Sequence, residues 1–209
     1  MTYLSLMRLN PGNRRCRKDM ADPQDMHRTF MSMFPQAPSG SESPRRHFGV
    51  LWRMESAGSP TVLVQSSHSP DFDKLPDGYS SCQVKPIDDH LASFAKGQMI
   101  AYRVVLNPVK ISRRSDTERR TVIPSRERAA WWTSVAPKTG LHVHGAPALT
   151  GLHDRYLKRS GTRLPLYSVR VDGTAEIVDP DLLRAAATGG IGRAKAWGCG
   201  LLTVARLRR

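Results

Sequence analysis

Cysteines, acidic side chains and long apolar segments are all scarce in this sequence. The three cysteines, Cys16, Cys82 and Cys199, lie far apart and form no C-x-x-C pair, so the sequence encodes neither a disulfide framework nor a zinc knuckle. No segment is apolar for long enough to span a bilayer, and no helix with a clearly basic amphipathic face is evident. We therefore expect ordinary buried or half-buried thiols and no membrane partner.

The shortage of acidic residues leaves a large positive charge. The 209 residues include 32 Lys and Arg but only 18 Asp and Glu, which gives a formal net charge of +14 and a pI near 10.4. This excess is beyond what solubility requires and indicates a polyanionic partner, with nucleic acid favoured over a membrane surface. At the N-terminus a short apolar run precedes a basic cluster, the reverse of a secretory signal, so we expect a cytoplasmic protein.

The first half of the chain contains the elements of a ferredoxin-like unit. Its predicted strands are residues 3–9, 47–55, 61–65 and 79–85. The basic stretch 14–18 is expected to be a loop, and Asp22 is placed to cap a helix that Pro23 opens. Apolar residues recur at helical spacing from Met26 to Phe34 in that helix. The order βαββ(α)β indicates an antiparallel sheet with one helical face.

The second half roughly repeats this order. Its predicted strands are residues 99–106, 141–145, 167–178 and 200–205, of which 167–178 could also form a tight hairpin. A helix is predicted over 125–136, and Asp179 with Pro180 opens a last helix that Gly189 ends. The sequence thus predicts an α+β fold of two tandem ferredoxin-like (βαββαβ, RRM-like) domains with antiparallel sheets. The predicted boundaries are 1–86 for the first domain, 87–97 for a linker and 98–209 for the second domain.

A glycine-rich segment, GGIGRAKAWGCGLL, occupies residues 189–202. Its glycines are Gly189, Gly190, Gly192, Gly198 and Gly200. Clustered glycines indicate unusual backbone angles or the close approach of another group, and Arg193 and Lys195 between them suggest that this group is a phosphate chain. The segment is not a Walker loop, and it is not a G-x-G-x-x-G loop because Lys195 takes the place of the third glycine. An unspecialised loop remains the alternative.

A second basic element, VKISRRSDTERRTVIP, covers residues 109–124. Its predicted form is a two-stranded arm that presents four guanidiniums, those of Arg113, Arg114, Arg119 and Arg120. The planar arginine fork can donate two hydrogen bonds to phosphate and can also bind guanine edges. A solvated loop is the competing interpretation. The weaker candidates of the same type are Lys110, Arg155, Lys158 and Arg159.

Metal and stacking sites are less favoured. Asp71, Asp73 and Asp77 lack the glycine and the terminal glutamate of a calcium loop. His142 and His144 would point the same way from a strand and could bind a transition metal, although we predict no metal and no cofactor. Trp131 and Trp132 are expected to pack against the core or a partner rather than to stack on RNA.

Five segments of the sequence carry a resemblance to a known family. They are YLSLMRLNP at the start, DPQDMHRTFMSMFP (22–35), LVQS (63–66), YRVVLNPVK (102–110) and GIGRAKAWGCGLLTVA (190–205). Together they span essentially the whole chain, which resembles the CasE family of CRISPR-associated endoribonucleases within the glycine-rich-loop superfamily. The resemblance implies two ferredoxin-like domains and a metal-independent RNase that cuts precursor CRISPR RNA beside each repeat hairpin. It also implies that the protein stays bound to its product as a subunit of the type I-E Cascade complex.

The resemblance further implies catalytic and RNA-binding residues. His27 is carried over as the catalytic group, with its role as acid or base left open because the helix dipole should lower its pKa and a phosphate should raise it. Family members commonly have a tyrosine three residues before this histidine, whereas this chain has Gln24, which can donate a hydrogen bond but no titrating proton. Arg193, Lys195 and the backbone of Gly190 and Gly192 are expected to hold RNA. A non-catalytic RNA-binding assembly subunit of the same fold remains the alternative, and a generic ribosomal-type RNA-binding protein is less favoured.

Overall fold

The computed structural model describes residues 1–41, 43–55, 60–114, 117–152, 156–159 and 162–207, with the side chains of 112–119, 158–159 and 162–163 outside that description. The first sheet holds β1 (Tyr3–Leu9), β2 (Leu51–Glu55), β3 (Thr61–Ser66) and β4 (Ser80–Pro86). Its strand order is β2-β3-β1-β4, and every neighbouring pair is antiparallel. Strand β3 therefore lies between β1 and β2, as the split βαβ arrangement of a ferredoxin-like unit requires.

Three helices connect β1 to β2, and only a turn of 3-10 helix at Phe72–Lys74 precedes β4. The helices are α1 (Arg14–Ala21), α2 (Pro23–Met31) and α3 (Pro44–His47). The loop predicted over 14–18 is wrong, because Asn13 accepts a hydrogen bond from the Cys16 backbone N–H and the fully buried Cys16 and Asp19 side chains anchor α1 in the core. The free energy gained by burying one face of α1 against the rest of the domain therefore outweighs the mutual repulsion of its basic side chains.

The second half forms a sheet with the same topology. Its elements are α4 (Asp88–Ala92), β5 (Met99–Leu106), β6 (Val109–Arg114), β7 (Thr117–Val122), α5 (Arg128–Val135), β8 (Leu141–Leu152), β9 (Tyr156–Arg159), β10 (Thr162–Pro165), β11 (Ser168–Ile177), α6 (Pro180–Gly189) and β12 (Leu202–Arg206). The sheet order is β12-β5-β11-β8, while β6-β7 and β9-β10 form separate hairpins. The α+β fold with two antiparallel ferredoxin-like sheets is confirmed. The division at 87–97 stays a prediction.

Two strands of the second sheet differ in detail from the predicted pattern. β8 is longer than expected because it pairs along nearly the whole of β11. Of the two alternatives for 167–178, a single strand and a tight hairpin, the structure has the single strand β11. Its pairing with β8 shifts register between Asp172 and Thr174. Gly173 is required there by a close approach, since an added Cβ would lie 2.6 Å from the Tyr102 hydroxyl oxygen.

Each sheet packs on its own core. The apolar stripe of α2 is buried as predicted, and Phe30 meets Trp52 edge to face at a centroid distance of 5.4 Å. In the second domain Trp132 is fully buried and its indole N–H donates to the Tyr102 hydroxyl at 2.9 Å, which confirms a packing role. Cys16 and Cys199 are buried and Cys82 is half-buried, as expected. Among the described residues, no helix is long and apolar enough to cross a membrane.

A buried arginine joins the two sheets. The Arg53 side chain, only 2% exposed, donates at 3.0 Å to the backbone oxygens of both Arg103 and Leu201 and at 2.9 Å to the Thr203 hydroxyl. Its charge is balanced by Glu55, which also pairs with Arg103 at 2.9 Å. Because these donors and acceptors are buried and directional, they hold the second domain against the first in one orientation.

Candidate nucleic-acid interface

Helix α2, which carries His27, packs against the glycine-rich segment. The Asp22 side chain caps the helix by accepting from the Gln24 backbone N–H at 2.9 Å, and Pro23 opens it, as predicted. One turn beyond His27, Phe30 contacts Trp52, whose indole N–H donates to the Ala196 backbone oxygen at 3.1 Å. The helix therefore packs against the turn at Lys195–Trp197. His27 lies at this junction of the two domains.

The His27 imidazole is half-buried in positive surroundings. Burial, and then the charge of Arg45, lower its pKa from 6.5 to about 4. Its buried Nδ1 atom has no hydrogen-bond partner within the described part of the chain. The ring is therefore neutral near pH 7 and has a nitrogen lone pair that can accept a proton.

Backbone angles in the glycine-rich segment are as unusual as its composition suggested. Gly190 has φ of 73° and Gly192 has φ of 71°, both in the left-handed region. At Gly190 the close neighbour is the protein itself, since an added Cβ would lie 2.7 Å from Cδ2 of the buried Leu51. At Gly192 an added Cβ would meet nothing within 4 Å, so this backbone is open to an incoming group. The adjacent Arg193 is also exposed.

Three cations line a cleft of about 410 Å³ beside this segment. They are Arg45 and Arg46 from α3 and Lys195 from the glycine-rich turn. The Lys195 ammonium donates to the Gly189 backbone oxygen at 2.7 Å, and the Arg45 guanidinium donates to the Val50 backbone oxygen at 3.2 Å. Burial, followed by the charges of Arg45 and Arg46, lowers the pKa of Lys195. Since neighbouring like charges disfavour one another, an anion in this cleft would stabilise all three.

Sequence reasoning missed Arg45 and Arg46, because the segment 35–46, rich in Pro and Ser, is typical of a turn-rich connector between elements. The available signal was the same punctuation that marks α2. Ser43 accepts from the Arg46 backbone N–H at 3.3 Å, and Pro44 stands at the first helical position. Their proximity to Lys195 could not be found in this way, because it depends on how the two domains dock.

The other predicted residues lie at several places on the molecule. Gln24 is exposed one turn before His27. The predicted two-stranded arm is confirmed as the β6–β7 hairpin, where Lys110 and Arg120 are exposed. The remaining basic candidates fall outside the described residues or have side chains outside them; they are Arg113, Arg114, Arg119, Arg155, Lys158 and Arg159. The backbone of β9, which carries Lys158 and Arg159, lies against α2.

The alternative metal sites contain few converging ligands. His142 and His144 do share one face, with ring centroids 5.2 Å apart, and His144 Nε2 lies 3.6 Å from a Glu176 carboxylate oxygen. Asp71 caps the 3-10 turn by accepting from the Asp73 backbone N–H at 3.1 Å. Across the residues that the structure describes, no three His, Cys, Asp or Glu side chains come together as a metal site.

Comparison with known proteins gives one consistent family. A family model described as CRISPR associated protein matches residues 2–206. The CRISPR-associated endoribonuclease Cse3 of Thermus thermophilus is 32% identical over 218 aligned positions, which cover 97% of this chain and 99% of that protein. The structure of Thermus thermophilus Cse3 bound to an RNA representing a pre-cleavage complex superposes with a TM-score of 0.81 at 31% identity, covering 98% of each chain. A chain of a CRISPR RNA-guided surveillance complex in a pre-nicking state superposes with a TM-score of 0.73 at 32% identity, covering 98% of this chain and 100% of that one. With its matching fold and its near-complete coverage of these relatives, the chain belongs to the family of CRISPR-associated proteins.

Proposed function

We propose that this protein is an endoribonuclease that binds CRISPR repeat stem-loops and cleaves precursor CRISPR RNA, then stays bound as a subunit of the type I-E Cascade complex in the cytoplasm. Its relatives support the activity and the partners, since Cse3 of Thermus thermophilus is named an endoribonuclease and is seen with a pre-cleavage RNA, and a similar chain lies in an RNA-guided surveillance complex. In this chain, the observation that carries the proposal is the neutral, half-buried His27 imidazole beside a cleft lined by three cations.

The proposed chemistry is attack of an RNA 2′-hydroxyl on the adjacent phosphorus. The His27 imidazole accepts the hydroxyl proton as the 2′-oxygen–phosphorus bond forms and the bond from phosphorus to the 5′-oxygen breaks. The departing 5′-oxygen takes up a proton from solvent water and the His27 imidazolium later returns its proton to solvent, so the products carry a 2′,3′-cyclic phosphate and a 5′-hydroxyl. Burial is the larger cause of the low His27 pKa and the charge of Arg45 the smaller one. A phosphate near Arg45 would offset the smaller cause and raise that pKa part of the way toward neutrality, which strengthens the base.

The remaining candidate residues hold the RNA in place. The Gln24 amide positions the scissile phosphate by donating a hydrogen bond. Lys195, Arg193, the open backbone at Gly192 and the backbone of the neighbouring Gly190 bind the strand beside it and stabilise charge on the phosphorane. The arm grips the stem, where shape and backbone contacts dominate because the bases lie in a deep and narrow groove. Its proposed contacts are Lys110, Arg113, Arg114, Arg119 and Arg120.

A second candidate is a non-catalytic RNA-binding assembly subunit of the same fold. It is favoured by Gln24, which stands where the resembled family commonly has a tyrosine and which cannot supply a titrating proton. The same surface would then bind the repeat hairpin without cutting it.

The test is cleavage of the cognate repeat RNA in EDTA. Wild type should cut, His27→Ala should bind without cutting, and His142→Ala should cut like wild type as a matched exposed-histidine control. Binding without cutting by wild type would favour the assembly subunit. Loss of wild-type cleavage on chelation would refute the metal-independent mechanism.

A further inference from the structure

Two exposed histidine rings stand beside the cationic cleft and take no part in the proposed reaction. They are His47, the last residue of α3, and His68, which follows β3. Their ring centroids lie 6.0 Å apart with an interplanar angle of 26°. We refer to them as the histidine pair.

A buried aromatic ring supports the histidine pair from below. Phe48, 2% exposed, meets His47 edge to face at 4.7 Å and His68 at 5.1 Å. Phe48 in turn stacks on Phe34 at 5.5 Å. The Ser66 hydroxyl donates to the His68 backbone oxygen at 2.7 Å, which fixes the turn that carries the second ring. The two rings are therefore nearly parallel, supported by Phe48 and exposed to solvent.

The histidine pair is continuous with the cleft. His47 directly follows Arg45 and Arg46, which line the cleft. Gly49, which also lines the cleft, lies against Ser67, the residue between β3 and His68. A Cβ added at Gly49 would lie 3.5 Å from the Ser67 Cβ. The Ser67 backbone N–H also donates to the Phe48 backbone oxygen at 2.8 Å. The charged cleft and the aromatic rings of the histidine pair thus adjoin along residues 45–49.

We propose that this combined surface binds an unpaired RNA nucleotide beside the repeat stem, with its phosphate in the cleft at Arg45 and Lys195 and its base stacked on the histidine pair. The inference rests on the proposed function and names a subsite of it. An unpaired nucleotide offers both an anion and a flat ring, whereas the bases of a stem are already stacked and cannot reach a protein surface. Imidazole is among the side chains on which splayed bases stack, without regard to sequence.

The test measures the affinity that flanking nucleotides add. Three RNAs with a 2′-deoxy nucleotide at the cut site are compared at one salt concentration: the stem-loop alone, the stem-loop with a 5′ flank, and the stem-loop with a 3′ flank. One of the two flanks should strengthen binding to wild type. The double variant His47→Ala with His68→Ala should bind the RNA with that flank about tenfold more weakly than wild type does, and should bind the other two RNAs as wild type does. The double variant His142→Ala with His144→Ala removes another exposed histidine pair and should bind all three RNAs as wild type does.

Two further probes separate stacking from charge and from misfolding. Abasic nucleotides in the flank keep the phosphates and should erase the difference between wild type and the His47, His68 double variant. His47→Phe with His68→Phe should restore binding, because a phenyl ring also stacks. The proposal is overturned if neither flank adds affinity, if the alanine variant binds every RNA as wild type does, or if it loses affinity equally for the stem-loop alone. The proposed function fails separately, when wild type neither binds nor cuts the repeat.

Discussion

Acid should unfold this protein more readily because of His27. Its pKa is about 4 in the folded protein against an ordinary value of 6.5, so the unfolded chain binds this proton more tightly. The contribution of His27 to the free energy of unfolding is fully present above the unfolded pKa of 6.5. It falls as the pH drops below 6.5 and is lost once the pH is below the folded pKa of about 4. Replacing His27 by an uncharged residue should remove this component of acid sensitivity.

The size of the effect follows from the two pKa values. The two pKa values differ by 2.5, which at about 1.4 kcal/mol per pKa unit sets a limit of about 3.5 kcal/mol. At about pH 4.5 the loss should be about 2.5 kcal/mol relative to about pH 7.5. Carboxylates elsewhere titrate in the same range, but they do so in both proteins. The difference between wild type and His27→Asn therefore isolates the histidine.

Urea unfolding at these two pH values measures the free energy of unfolding of both proteins. Wild type should lose about 2.5 kcal/mol more on acidification than His27→Asn. Arg45→Gln should recover only the smaller part, because burial is the larger cause of the low His27 pKa and the charge of Arg45 the second. Equal acid sensitivity in wild type and His27→Asn would refute the reasoning, as would a His27 pKa near 6.5 in an NMR titration.

Three other substitutions test the structure through the free energy of unfolding. Arg53→Met removes the buried donor to two carbonyls of the second domain and should cost about 3 kcal/mol in urea unfolding; an unchanged midpoint would contradict the bridging role. Gly190→Ala and Gly192→Ala each place a side chain at positive φ, which costs about 1 kcal/mol or more. Gly190→Ala should lower the melting temperature further, because Gly190 has ψ of 158°, a region almost confined to glycine, and because the added Cβ clashes with Leu51. Equal shifts would contradict both reasons. Asp19→Ala should lower the free energy of unfolding by about 3 kcal/mol, measured by thermal unfolding. This fully buried carboxylate accepts hydrogen bonds from the Thr29 hydroxyl at 2.6 Å and the Tyr79 hydroxyl at 3.0 Å. A loss below about 1 kcal/mol would contradict that role.

Much of the local structure could be predicted because its causes lie within a few residues. Asp22 and Pro23 mark the start of α2 by a side-chain cap and a preset φ, and both act through the adjacent turn alone. Alternation of apolar residues located the eight strands of the two sheets, although β2 begins at Leu51 rather than at residue 47, where α3 ends. The β9–β10 hairpin was not predicted. The glycine density at 189–202 indicated left-handed backbone angles. The catalytic role assigned to His27 came instead from family resemblance, since one histidine near a helix start has no chemical signature of its own.

Sequence by itself determined the helix caps, the strand pattern, the excess of positive charge and the glycine segment, all of which follow from short-range sterics and composition. Only the tertiary structure brought Arg45 and Lys195 to one cleft, buried Arg53 between the sheets and turned 14–18 into helix α1. These features depend on contacts between distant segments, such as the hydrogen bond from Trp52 to Ala196 across 144 residues of chain. No local propensity encodes such a contact, because its free energy comes from burial and hydrogen bonding that exist only after the two domains dock.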